Sequence, residues 1–139
     1  MSRVIFITRT VTGLLFLSQL VLGIVMWTGH GRSLMQVHMS LGALFVLAVW
    51  TLSAICVRAG VSRTAAFGVA SVGVIVLLFG MAQARILPGS QHWVVQVLHL
   101  LLGFTAMAVA GRLTTMVPAR ARRAAGSREA HPEPVGRGA

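Results

Sequence analysis

Residues 34–57 read LMQVHMSLGALFVLAVWTLSAICV, and this run decides the fold. It carries no acidic or basic side chain except His38. It reaches the ~20 residues that take a helix across a hydrocarbon layer of ~30 Å. Leu, Val, Ala and Ile fill it continuously, without the alternation of a barrel strand. Three comparable runs accompany it, at 10–27, 64–84 and 93–116. In hydrocarbon the backbone must satisfy its own hydrogen bonds, so four such runs predict four helices.

The rest of the chain agrees. Of 139 residues, 56% are hydrophobic and 10% charged. A soluble domain carries roughly 25% charged residues, so a water-facing surface is excluded. The net charge of +10 comes from twelve arginines against Glu129 and Glu133. A nucleic-acid binder gathers its basic residues on one polar face. Here they stand at the ends of apolar runs, which excludes nucleic acid as the partner and predicts the lipid bilayer. Cys56 is alone and forms no internal disulfide.

Short connections at 28–33, 58–63 and 85–92 make consecutive helices antiparallel neighbours. The expected fold is therefore all-α: an integral membrane up-down-up-down four-helix bundle over residues 1–116. A basic, Ala/Gly/Pro-rich tail over 117–139 lacks an apolar period and is expected to be disordered. The first run follows Arg3 and Arg9 but ends in Met26-Trp27-Thr28 with no small-residue cleavage site, so it is read as a retained span. Arg3, Arg9, Arg58, Arg63, Arg112, Arg120, Arg122, Arg123, Arg128 and Arg137 fall on one side, Arg32 and Arg85 on the other. This asymmetry places both termini in the cytoplasm and Trp27 and Trp93 at the outer interface.

The halves resemble each other. His38-Met39-Ser40-Leu41-Gly42 and His99-Leu100-Leu101-Leu102-Gly103 both read His-x-x-Leu-Gly, and Gly23-Ile24 pairs with Gly80-Met81 shortly before each outer connection. A duplicated two-helix unit follows, with a pseudo-twofold axis along the membrane normal. At ~1.5 Å per residue His38 lies about 6 Å and His99 about 9 Å inside the outer ends of their helices. Related by that axis, the rings are expected to point at each other across the bundle.

Ionisable groups in membrane helices face the interior and mark function. No carboxylate occurs in any span to pair with these histidines. A metal held between two imidazoles is the direct partner, and haem iron accepts two axial ligands in line. Gly42 and Gly103, four residues after each histidine, share its helix face and open a slot for a porphyrin edge. The alternatives are histidines that act as ordinary polar or substrate contacts, and glycines that serve close helix packing.

The stretch His38-Met39-Ser40-Leu41-Gly42-Ala43-Leu44-Phe45-Val46-Leu47-Ala48-Val49-Trp50 resembles the second helix of prokaryotic cytochrome b561-type proteins. The resemblance implies a four-helix bundle in a bacterial inner membrane, with haem b between His38 and His99 as the metal ligands. Family members usually hold a second haem through a first-helix histidine and another two heptads along the fourth helix. Here the first span has no histidine and Leu113 stands fourteen residues after His99, so one haem near the outer face is expected. Such a centre suits electron transfer to or from quinone or a periplasmic redox partner, alone or within a larger respiratory complex.

His30, Arg32, Arg85 and His92 rim the outer face, with Gln36 and Gln91. They are candidates for holding haem propionates or a quinone head, since the arginine fork bonds a carboxylate in pairs. The competing reading is ordinary loop polarity. Met26, Met35, Met39, Met81 and Met107 offer a Cu(I) scheme, against their usual use as packing filler. Two other functions compete. A small four-helix transporter needs a membrane carboxylate that is absent, and a non-catalytic anchor or assembly subunit needs none.

Overall fold

The computed structural model describes residues 2–29 and 31–117. Four helices account for nearly all of them: α1 Ser2–Trp27, α2 Met35–Arg58, α3 Arg63–Ala82 and α4 His92–Thr115. Single 3-10 turns, Arg32–Leu34 and Gln83–Arg85, precede α2 and follow α3. The described residues contain no strand. Each helix is long and apolar enough to cross a membrane.

Three helices match the apolar runs to within two residues at each end, and α1 does not. It starts at Ser2 rather than at residue 10, because the segment through Arg3 and Arg9 has no helix breaker and long arginine stems lie comfortably along a helix. The α2 terminus shows why the middle connection is short. Gly60 takes φ 92°, its N–H donates to the Val57 carbonyl, and the Val61 N–H donates to the Cys56 carbonyl. This Schellman closure consumes two orphan carbonyls. It also turns Val61 into the core, where it is buried.

Consecutive helices pack on one another, and α4 closes the ring against α1 while also meeting α2. The densest packing joins Val49, Leu52 and Cys56 of α2 to Val69 and Val76 of α3 and to Ala106, Ala110 and Leu113 of α4. Ala106 and Ala110 lie on one face and let α4 approach closely. α1 gives only one fully buried side chain, Thr12, whose hydroxyl donates to the Thr8 carbonyl at 2.8 Å. Across α2 and α3, the Trp50 indole Nε1 donates to the Ala70 carbonyl at 3.1 Å. Val117 is buried against this core, so ordered packing continues one residue beyond the boundary drawn at 116. The remainder of the tail, 118–139, lies outside the described residues.

The outside is as apolar as the inside. Phe6, Ile7, Leu14, Leu17, Phe67, Leu78, Met81 and Trp93 are all exposed. A water-soluble protein rarely shows so continuous an apolar surface, and contact with a lipid bilayer accounts for it.

Candidate functional site

Beyond the dense core, towards the two hairpin connections, the packing changes character. His38 stands in the first turn of α2 and His99 two turns into α4. Their ring centroids are 6.4 Å apart and the planes cross at 60°. Both residues are half-buried.

Each imidazole is seated against a glycine of the preceding helix. A Cβ built on Gly80 would lie 2.7 Å from His99 Cε1, 3.3 Å from Nε2 and 3.5 Å from Nδ1. A Cβ on Gly23 would lie 3.9 Å from His38 Cε1. The N–Cε1–N edge of His99 therefore faces α3, and His38 presents its Cε1 to α1. This departs from the expectation that the rings point straight at each other. They are neighbours across the bundle, but each is tipped into the space its own hairpin leaves at a glycine. Phe79 stacks on His99, with centroids 6.2 Å apart and planes within 13°.

Gln19 of α1 completes the layer. Its Nε2 donates to the His38 backbone carbonyl at 2.8 Å, and a Cβ on Gly42 would come within 2.6 Å of that nitrogen. The space beside Gly42 thus holds an amide rather than an open slot. The corresponding space at Gly103 is met by the Phe16 ring, 3.7 Å from a built Cβ. Phe16 in turn contacts Phe45 and, edge-on, Phe104, with centroids 6.0 Å and 5.1 Å away. Phe45 belongs to the packed core and Phe16 packs against it, so this cluster joins the core to the imidazole layer.

Among the described residues, three buried side-chain atoms have no hydrogen-bond partner: His38 Nδ1, His99 Nδ1 and Gln19 Oε1. Buried polar atoms are nearly always satisfied, so three orphans in one layer mark a place built for something further. The donor set suits axial ligation. A metal between two imidazoles sits about 2 Å from each nitrogen, which separates the ring centres by roughly 6 Å. Among the described residues no three His, Cys, Asp or Glu side chains converge. An ion needing a full set of such ligands is therefore poorly served, whereas a haem needs only the two. Gly23 and Gly80 let the preceding helices come up against the two rings, Gly80 the more closely.

The described rim residues lie in or beside the two outer connections. Arg85 is exposed in the 3-10 turn after α3, and His92 Nδ1 lies 3.4 Å from the Ile86 carbonyl of the same connection. Gln36 and Gln91 are exposed. Arg32 belongs to the turn before α2, and His30 lies outside the described residues. Sequence reasoning passed over Gln19, Phe16 and Phe79. Gln19 had a signal: it is the one amide in the first span, and polar side chains in spans face the interior. Comparison with protein-family models, with curated proteins and with solved structures finds no match for this chain.

Proposed function

We propose that the chain is a four-span membrane electron carrier in which His38 and His99 hold one b-type haem. The observation that carries this reading is the pair of half-buried imidazoles, 6.4 Å apart, each with an unpartnered buried Nδ1. The repeated seating, His38 at Gly23 and His99 at Gly80, supports a duplicated two-helix unit with up-down topology. With the arginine asymmetry, it supports a site in the outer half of a bacterial inner membrane, termini inside. The resemblance to prokaryotic cytochrome b561-type proteins rests on the same residues.

Bound there, haem supplies one-electron transfer between its two iron states. The chain's own residues do the rest. His38 and His99 would hold the haem iron through ring nitrogens, and Phe79 stacks on the His99 ring and limits its rotation. Gly23 and Gly80 give each ring a seat against the preceding helix. Phe16 and Phe45 pack together on the core side of the layer. Quinone or a periplasmic redox protein is the partner reached from such a position, with Arg85 and His92 in or beside the connection between α3 and α4.

The test is a pyridine haemochrome assay with a visible spectrum on the purified chain. One haem b per chain with a sharp low-spin band is expected. A folded, colourless protein from cells replete with haem would sink the reading.

A further inference from the structure

We infer that Gln19 is the positioning residue of His38: its amide oxygen receives the Nδ1 proton of His38 and so points Nε2 of that ring at the bound metal. This rests on the haem reading above and deepens it. A ligating histidine almost always donates its second ring N–H to an acceptor, which fixes tautomer and ring orientation and raises ligand basicity. His38 Nδ1 is buried and lacks such an acceptor. Gln19 Oε1 is buried and lacks a donor.

The two orphans belong to residues already tied together. The other end of the Gln19 amide donates to the His38 backbone carbonyl at 2.8 Å. That bond fixes which end of the amide is the nitrogen, and therefore leaves the oxygen as the free end in the same layer. Gly42 has no side chain where the amide sits, and a Cβ there would meet Nε2 at 2.6 Å. The pocket at Gly42 is thus fitted to an amide that grips the backbone of His38 and has one acceptor unspent. The inference requires the His38 ring to turn about its own side-chain bonds so that Nδ1 meets that oxygen.

His99 is braced differently. Its ring is stacked on Phe79 and seated on Gly80. An aromatic face holds a plane but accepts no strong hydrogen bond. The two halves therefore diverge at the atoms that matter, and His38 and His99 are not equivalent in their surroundings.

The experiment compares the full-length protein with Gln19→Leu and Gln19→Glu. Leu removes both amide ends, while Glu keeps the acceptor and strengthens it. In haem-loaded protein, Gln19→Leu is expected to loosen the haem by roughly 10–100-fold and raise the midpoint potential. Gln19→Glu is expected to retain the haem and lower the potential. The second arm needs no haem: 15N spectra of histidine-labelled protein in micelles are expected to show His38 as the Nδ1–H tautomer in the parent and Gln19→Glu proteins. That preference is expected to vanish in Gln19→Leu. A colourless parent protein overturns the haem reading, and the tautomer arm then still decides for Gln19. A His38 tautomer that ignores Gln19→Leu overturns this inference, even if the haem stays in place and only thermal stability falls.

Discussion

His99 rests on Gly80 so closely that one added methyl group would stand 2.7 Å from its Cε1. Its counterpart, His38 against Gly23, leaves 3.9 Å for the same group. The pairs occupy equivalent places in the two hairpins but differ in how much room remains. Whatever the imidazole layer binds, its tight side is the α3–α4 side.

Gly80→Ala is therefore expected to be the harmful one of two matched substitutions. A real Cβ contact is not made at 2.7 Å, so the His99 ring or the α3 backbone must move. Overpacking of this kind costs about 1–3 kcal/mol. Gly23→Ala adds a methyl at ordinary contact distance and is expected to cost under about 1 kcal/mol. Thermal unfolding in detergent checks the difference, and the spectrum checks the site: only Gly80→Ala should perturb a bound haem. Equal effects would mean that His99 moves aside freely.

The same logic separates Gly42 from Gly103, which the sequence treats as twins. At Gly42 a methyl group displaces the Gln19 amide and breaks its bond to the His38 carbonyl, a loss of about 1 kcal/mol. At Gly103 it meets the edge of Phe16 at 3.7 Å, an ordinary contact. Gly42→Ala is expected to destabilise and Gly103→Ala to be close to neutral in the same unfolding assay. The reverse order would show that Gln19 is not held where the structure has it.

How much of this was legible in the sequence follows from what a membrane helix hides. The four helices were legible because length and continuous apolarity are properties of a run. The histidine pair was legible because an ionisable group in such a run is costly enough to signal itself. Which residues face that pair was not. These helices are apolar on nearly every side, with exposed Leu14, Leu47 and Leu101 as leucine-like as the buried Leu52 and Leu113. Without a polar face, the pattern does not fix the rotation of a helix about its axis. Hence Gly23 and Gly80 were noticed as a repeat but not as seats for the rings, and Gln19 and Phe79 were not noticed at all. His92 Nδ1 lies 3.4 Å from the Ile86 carbonyl of its own connection, and nothing in its sevenfold spacing from His99 reports that contact.

The arginine asymmetry makes a prediction about sidedness. Ser62 lies in the connection between α2 and α3, Ser90 in that between α3 and α4. In a Cys56→Ala background, Ser90→Cys is expected to react with a membrane-impermeant maleimide added to intact spheroplasts. Ser62→Cys should react only after the membrane is opened. Cys56 is fully buried and small, so its replacement disturbs little. Labelling of Ser62→Cys from outside would invert the topology and move the imidazole layer to the cytoplasmic half.

Two ligands on one metal behave as a unit, and this gives the sharpest separation between a shared centre and two independent polar residues. If His38 and His99 each serve their own hydrogen bond, replacing either leaves the other intact and the effects of two replacements add. If they share one iron, His38→Ala alone removes the low-spin centre, His99→Ala alone does the same, and the double variant loses nothing more. The reduced-minus-oxidised spectrum, taken at equal protein and normalised to the parent, is expected to show this saturation. Exogenous imidazole is expected to restore part of the band in either single variant, since the cavity left by the ring admits a free one beside the remaining ligand. Additive losses, or a single variant with a full parental band, would dissolve the pair into two unrelated histidines and with it the assignment of the site.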